Sequence, residues 1–212
     1  MNDIFKNRPY PKWGFDNELG CSNDMEDDFV VKYFKRRSCS KYVVDLGAAD
    51  GITGSNSYKL INNFGWNAVL VEPLKPFYNY LLELYKDNNN VEILNYACDI
   101  EEKETEIKYR SFDEAIGLSS LVLNWENSQK IESKKFNTLV KQKRIDFLSI
   151  DCEGKDFDII KDINFDEYDI EIICCERSNN DYDYNKNISD YLIEKDYILA
   201  KITNHNFIFV KI

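Results

Sequence analysis

Short apolar runs alternate along this chain with segments that carry apolar residues at helical spacing. The runs at 42–46, 68–71, 91–96, 147–150 and 170–175 predict buried strands, and the segments at 55–64, 77–85, 136–143, 157–161 and 188–195 predict helices. Strands that alternate with helices form a mostly parallel sheet that is covered by helices on both faces. The pattern therefore predicts an α/β fold.

The C-terminal end departs from a plain parallel arrangement. The predicted strands 197–202 and 207–210 are separated only by Thr203-Asn204-His205-Asn206. A parallel crossover needs a dozen or more residues, so one of these strands must run antiparallel as part of a hairpin.

The length of 212 residues fits one domain, which we predict to span 1–212. Residues 1–26 predict an extended N-terminal segment that precedes a helix at 27–37. The region 111–133 has no clear period, and we interpret it as a lid or substrate loop.

The net charge of −11 limits the classes of partner. An acidic surface repels phosphate backbones and anionic lipids, so we expect neither duplex nucleic acid nor a membrane as partner. A small-molecule or glycan acceptor stays open. A local basic patch at 134–135 and 141–144 keeps RNA as an alternative substrate. The six cysteines include no metal-ligand spacing, and the sequence has no signal peptide or apolar membrane span, so we expect a cytoplasmic protein.

The first predicted strand ends in Val43-Val44-Asp45-Leu46-Gly47-Ala48-Ala49-Asp50-Gly51. Ligands of parallel sheets bind at the carboxyl ends of the strands, and Gly47 and Gly51 allow a ligand to approach the backbone. Asp45 and Asp50 would repel a pyrophosphate but attract a cationic sulfonium, an amino group or a ribose hydroxyl. The loop Gly47 to Gly51, including Ala48, therefore favours S-adenosylmethionine over NAD. The absence of a G-x-G-x-x-G pattern also disfavours a nicotinamide-dependent oxidoreductase.

Two further acids follow neighbouring strands. Glu72 ends the second strand, at the position where an acid binds the two ribose hydroxyls of a nucleotide cofactor. Asp99 follows the third strand, where it could accept a hydrogen bond from the adenine amino group.

A third pair of acids, Asp151 and Glu153, ends the fourth strand, and strand alternation places both on one side of the chain. We predict that Asp151 is the base that takes a proton from an acceptor hydroxyl, or that it orients this hydroxyl, while Glu153 holds the loop or the substrate. The alternative for Glu153 is that it caps the next helix.

Three residues near the last strands are candidates for acceptor binding: Glu176, Asn179 and His205. Asp151, Glu176 and Asn179 could also form an oxygen-rich Mg²⁺ site, although a metal is not favoured. His205 is the single histidine, and its position in a tight hairpin is also typical of a surface turn.

The sequence resembles the FkbM-type methyltransferases in the combination of four short motifs: Ser55-Asn56, Gly65-Trp66, Glu72-Pro73 and Asp151-Cys152-Glu153-Gly154. The pair Ser119-Ser120 matches the same family. The resemblance implies a class I methyltransferase (Rossmann-like) fold with a seven-stranded sheet and S-adenosylmethionine as the methyl donor. It implies that Ser55, Pro73 and Ser119 belong to the donor site and that the acceptor is a hydroxyl, most often on a sugar, glycan or nucleotide sugar. A protein that binds the donor without turnover is the remaining alternative.

Overall fold

The structure is a computed structural model that describes residues 22–109, 119–121 and 126–212. It contains eleven strands, β1 (Tyr42–Leu46), β2 (Asn67–Val71), β3 (Val91–Leu94), β4 (Ala97–Cys98), β5 (Lys103–Tyr109), β6 (Ser119–Ser120), β7 (Asn127–Lys134), β8 (Arg144–Ile150), β9 (Asp169–Glu176), β10 (Tyr197–Ile202) and β11 (Asn206–Lys211). Its helices are α1 (Glu26–Phe34), α2 (Tyr58–Phe64), α3 (Lys75–Leu84), α4 (Phe136–Leu139), α5 (Asp156–Asp162) and α6 (Tyr182–Ile193).

The main sheet has seven strands in the order β10-β11-β9-β8-β1-β2-β3. Neighbours from β9 to β3 pair in parallel, whereas β11 runs antiparallel to both β9 and β10. The predicted seven-stranded, mostly parallel sheet with a C-terminal antiparallel hairpin is confirmed. The carboxyl ends of β1, β2 and β8 meet in the middle of this sheet, so residues that follow these strands share one edge.

Helices cover both faces of the main sheet. Successive side chains of its strands point to opposite faces, and both faces are buried. Val43, Ala68 and Phe147 belong to a core that includes side chains of α1, α2 and α3. Val44, Val69 and Leu148 belong to a second core with side chains of α4, α5 and α6.

A second, four-stranded sheet has the order β4-β7-β5-β6, and residues of its strands β5 and β7 share a surface recess with Ile93 and Leu94 of β3. Its long strand β7 overlaps the end of the region 111–133, which was interpreted as a lid or substrate loop, so that end forms a strand. Residues 110–118 and 122–125 lie outside the described residues. Apolar residues are sparse in β7 because one face of this sheet is exposed. The strand therefore could not be predicted from apolar periodicity. Ile107 of β5 packs against Leu74 and Phe77 and joins this sheet to the start of α3.

The N-terminal segment is held by the edge of the main sheet. Ser22 forms a bridge with Gly54, and the buried Glu26 accepts hydrogen bonds from Thr203 and Asn206. The predicted extended segment 1–26 falls mostly on residues 1–21, which are outside the described part of the chain. None of the helices in the described ranges is both long and apolar enough to cross a membrane.

Candidate active site

A cavity of about 220 Å³ opens at the carboxyl ends of β1, β2 and β8. Its walls come from the loop after β1, the ends of β2 and β8, the segment between β3 and β4, and the small sheet. Among the predicted donor-site residues, the following line it: Asp45, Gly47, Ala48, Ser55, Glu72 and Pro73. The predicted catalytic residues Asp151 and Glu153 line the same cavity.

Gly47 forms the tight turn after β1. Its φ of +86° belongs to glycine, and a Cβ atom placed on it would lie 2.0 Å from the backbone oxygen of Asp151. The N–H groups of Gly47 and Ala48 both donate to the carbonyl of Val71, at 2.9 and 3.1 Å. The turn therefore requires glycine because the ends of three strands converge on it.

Asp45 lies on the floor of the cavity and is almost completely buried. The hydroxyl of Ser57 donates to Asp45 Oδ2 at 2.5 Å. Burial raises the pKa of Asp45 to about 6, although hydrogen bonds from Ser57 and Ser149 oppose this shift. This carboxyl group favours a cationic or hydrogen-bond-donating ligand.

Glu72 is held in place by two backbone groups. The N–H of Ala49 donates to Glu72 Oε2 at 2.9 Å, and the N–H of Leu74 donates to Oε1 at 2.7 Å. Burial raises the pKa of Glu72 to about 8 against these two bonds, and the nearby Asp45 and Asp151 raise it further. Its carboxyl group is thus fixed in the wall, where it can accept from a pair of hydroxyls.

Asp50 and Gly51 serve the loop rather than the cavity wall. Asp50 is fully buried, and its Oδ1 accepts from the N–H groups of Ile52 and Thr53 at 2.8 and 2.7 Å. Gly51 faces α3, since a Cβ atom there would lie 2.4 Å from Leu81 Cδ2. Neither residue lines the cavity, so their placement does not agree with the prediction that they contact the donor.

Asp99 is also turned away from the cavity. It forms an ion pair with Lys155 at 3.1 Å and accepts a hydrogen bond from the N–H of Ile100. The cavity wall at this point consists instead of the preceding residues Tyr96, Ala97 and Cys98.

The serine pair sits on the short strand β6. Ser120 lines the cavity, and its hydroxyl donates to the carbonyl of Glu153 at 2.7 Å. This bond connects the small sheet to the loop after β8. The backbone of Ser119 belongs to the same strand, but its side chain lies outside the described part of the structure.

Asp151 and Glu153 are presented by the turn that follows β8. The N–H of Asp151 donates to the carbonyl of Leu46 at 2.9 Å, which continues the pairing of β8 with β1. Glu153 has a φ of +48°, an unusual value for a residue with a side chain. Asp151 is accessible to water within the recess, and desolvation by the surrounding protein raises its pKa.

None of the three predicted acceptor residues lines the cavity. Glu176 ends β9, and burial together with Asp151 raises its pKa to about 7, against an opposing effect of His205. His205 is 59% exposed and pairs with Asp24 at 3.0 Å, while Asn179 accepts a hydrogen bond from Arg177 at 2.7 Å. Of the three, Glu176 and His205 interact electrostatically with Asp151, since Asp151 raises the pKa of Glu176 and His205 lowers that of Asp151.

No metal-holding group of three or more His, Cys, Asp or Glu side chains occurs within the described ranges. The Mg²⁺ site considered for Asp151, Glu176 and Asn179 is therefore not supported by a cluster of such side chains in the described residues.

Several residues in the cavity wall were not among the predicted site residues, although Asn56 belongs to one of the motifs named above: Asn23, Thr53, Gly54, Asn56 and Ser149. Ser149 is a buried polar residue within the apolar run 147–150 of β8, and Asn56 Nδ2 donates to its hydroxyl at 3.1 Å. This polar residue within a buried run was the one sequence signal that could have identified Ser149 as a site residue. Asn23 reaches the wall only because the N-terminal segment folds back onto Gly54.

The arrangement combines three properties. Buried acids favour cationic and hydroxyl-bearing groups, a glycine turn allows close approach to the backbone, and apolar residues such as Ile107 and Leu121 form the opposite wall. A ligand with a flat apolar ring, a diol and a positive charge would match all three.

The comparisons with known proteins agree with this chemistry. Residues 45–199 match the methyltransferase FkbM domain family. The structure is similar to the methyltransferase FkbM from Methylobacillus flagellatus KT, with 15% identity and a TM-score of 0.56 over 86% of this chain and 47% of that protein. It is also similar to a methyltransferase from Geobacter sulfurreducens, with 11% identity and a TM-score of 0.52 over 91% of this chain and 81% of that one.

These similarities establish the class I methyltransferase fold. The chain spans about half the length of the Methylobacillus protein. No curated protein shows a significant match to the sequence.

Proposed function

The chain belongs to the FkbM methyltransferase family, and from this premise we propose that it transfers a methyl group from S-adenosylmethionine to a hydroxyl of a small molecule. We propose a sugar, a glycan or a nucleotide sugar as acceptor, and we expect no duplex nucleic acid or membrane as partner. The observation that carries the donor part is the joint placement of Asp45, Gly47 and Glu72 around one cavity.

The residues of the cavity fit this donor. Glu72 would accept from the ribose hydroxyls, since two backbone N–H groups already fix its carboxyl group. Asp45 and Asp151 would compensate the positive charge, and Ile107 and Leu121 would contact the adenine ring. When bound, S-adenosylmethionine supplies an electrophilic methyl group on its sulfonium.

The chain's own part in the reaction is alignment and proton removal. Alignment of the acceptor oxygen with the methyl group supplies most of the acceleration in such transfers. Asp151 stands at the cavity wall beside Glu176, so we assign it to the acceptor hydroxyl, with Glu153 holding the loop or the substrate. A raised pKa makes Asp151 a better proton acceptor once it is ionised.

Isothermal titration of the purified chain with S-adenosylmethionine and, separately, with NAD tests the donor. We expect micromolar binding of S-adenosylmethionine alone, unchanged by EDTA. Transfer of a radiolabelled methyl group to sugars, nucleotide sugars and single-stranded RNA then tests the acceptor class. Binding of NAD alone would favour the oxidoreductase, and labelling of RNA would replace the sugar acceptor. Donor binding with no transfer to any of these acceptors would favour the protein without turnover.

Replacement of Glu72 by alanine is expected to weaken S-adenosylmethionine binding by about 100-fold, because hydrogen bonds to a charged group contribute roughly 1.5–3 kcal/mol. The wild-type affinity should rise with pH toward about 8, since Glu72 is protonated below its pKa of about 8 and both of its oxygens accept from the ribose hydroxyls only when it is ionised. The variant should lose this part of the pH dependence. Titration calorimetry at pH 6, 7, 8 and 9 measures both effects.

The matched control is Glu92→Ala, because Glu92 is an exposed acid on the adjacent strand β3. We expect the control to bind as wild type does. Equal affinities of the Glu72 variant and the control would remove Glu72 from the donor site.

A further inference from the structure

A buried carboxyl group outside the cavity has no role in the function proposed above. Asp156 is the first residue of α5 and is 0% exposed. Its Oδ1 accepts the backbone N–H of Cys152 at 2.9 Å, whereas its Oδ2 has no hydrogen-bond partner among the described residues. Buried acids are normally paired with a base, and no described lysine or arginine forms an ion pair with Asp156.

The group that Asp156 holds is the turn that presents the predicted catalytic acids. Cys152 lies between Asp151 and Glu153, and all three residues line the cavity. The turn continues through Glu153 and Gly154, with φ values of +48° and +98°. A non-glycine residue in this region is strained, so the turn needs external contacts to keep its shape.

The contacts of the turn come from its two sides. On one side, Ser120 donates to the carbonyl of Glu153 at 2.7 Å. On the other side, Asp156 accepts from the N–H of Cys152. The carboxyl group of Asp156 is thus the side-chain anchor that α5 provides for the turn.

The surroundings of Asp156 favour its uncharged form. Burial raises the pKa of Asp156 well above its ordinary value, and the nearby Asp151 and Glu176 raise it further. Tyr184 is close enough that Asp156 raises the pKa of its buried hydroxyl. A neutral carboxylic acid keeps the oxygen that accepts from Cys152 and adds no charge beside Asp151.

We propose that Asp156 is a positioning residue, whose carboxyl group holds the turn of residues 151–154 in the conformation that presents Asp151 and Glu153 to the cavity. The proposal rests on the proposed function only for the catalytic role of Asp151 and Glu153. The anchoring itself can be measured without any ligand.

The test compares Asp156→Asn, Asp156→Ala and a control. Asparagine keeps the accepting oxygen and cannot ionise, whereas alanine removes the anchor. Asp158→Asn is the matched control, because Asp158 lies on the same helix and is 41% exposed in its ion pair with Lys161. The readouts are amide hydrogen exchange at Cys152, calorimetric titration with S-adenosylmethionine, and melting temperature against pH.

We expect the alanine variant to lose exchange protection at Cys152 and to bind S-adenosylmethionine about 10-fold more weakly, at a temperature where it is folded. The asparagine variant should keep the protection and bind within about 3-fold of wild type. The wild type must lose stability as pH rises toward the raised pKa of Asp156, because its unfolded state ionises more readily. The melting temperature of Asp156→Asn relative to wild type should therefore increase from pH 5 to pH 9.

Two results would overturn the proposal. One is loss of Cys152 protection in Asp156→Asn, a comparison that does not require the alanine variant to fold. The other is equal donor affinity of the alanine and asparagine variants. If wild type itself fails to bind S-adenosylmethionine, the proposed function fails, and the exchange and melting comparisons still decide the role of Asp156.

Discussion

Replacement of Gly47 by alanine is expected to lower the free energy of unfolding by about 3 kcal/mol or more and to abolish donor binding. Two costs combine at this position. The φ of +86° is unfavourable for any residue with a Cβ atom, and that atom would lie 2.0 Å from the carbonyl oxygen of Asp151. This oxygen belongs to the backbone, and β8 is fixed by its pairing with both β1 and β9. The overlap can be relieved only by moving strand ends, and with them Asp151.

Gly65 provides the matched control. It has a similar φ of +66°, and a Cβ atom there would meet no other atom within 4 Å. Gly65→Ala should therefore lower the free energy of unfolding by only about 1 kcal/mol, because of the unfavourable backbone conformation alone. Urea unfolding of the two variants measures the difference, which isolates the close approach of β8. Equal losses of stability would show that the turn can relax and that Asp151 does not depend on Gly47.

The sheet and its binding edge could be predicted from the sequence because both depend on local periodicity. Apolar runs identified the strands of the main sheet, and strand polarity then placed Asp45, Glu72 and Asp151 at one edge. The separation of the last two strands was enough to require an antiparallel partner. These features need no knowledge of how individual side chains are oriented.

The orientation of side chains in loops could not be predicted in this way. Asp50 and Asp99 follow strands as Glu72 does, yet their carboxyl groups are occupied by the backbone N–H groups of the loop and by Lys155. A carboxyl group in a turn binds the nearest donors, and the sequence does not show which donors the turn will offer. The distinction between a cavity acid and a turn acid therefore required coordinates.

Contacts between distant segments, and the cap of one helix, also could not be predicted from apolar periodicity. The strand β7 pairs with β5 along its length but carries few apolar residues, so its periodicity is weak. Helix α6 begins at Tyr182, six residues before the predicted start at 188, because Asp181 accepts from the N–H of Tyr184 and caps the helix. Asn23 enters the cavity wall through a bridge between Ser22 and Gly54, which lie far apart in the sequence.

The acids of the cavity are linked by their mutual repulsion. Asp151 raises the pKa of both Asp45 and Glu72, and it raises that of Glu176 on the other side. Compensation of charge by a cationic donor would lower these pKa values together. Occupation of the donor site is therefore expected to favour the ionised form of Asp151, which is the form that can accept a proton.

Asp151→Asn is accordingly expected to lower the rate of methyl transfer by roughly 10² to 10⁴, the range that general bases contribute, while donor affinity changes by less than about 10-fold. Asparagine keeps the size of the side chain and can hydrogen-bond a hydroxyl, but it cannot take the proton. The rate of the wild type should rise as pH increases through the raised pKa of Asp151, because only the ionised form is a base. The variant should show no such rise.

The measurement is transfer of a radiolabelled methyl group to an acceptor found in the screen, with donor affinity measured on the same samples. Asp158→Asn, the exposed acid of α5, controls for the loss of one negative charge. Glu153→Gln separates the two acids of the turn: a loss of acceptor affinity without loss of the pH-dependent rise would assign Glu153 to binding and Asp151 to proton removal. Near-normal turnover of Asp151→Asn would show that Asp151 is not the base. Loss of the pH-dependent rise in Glu153→Gln would then assign proton removal to Glu153, and its persistence in both variants would leave alignment of the acceptor as the chain's whole contribution.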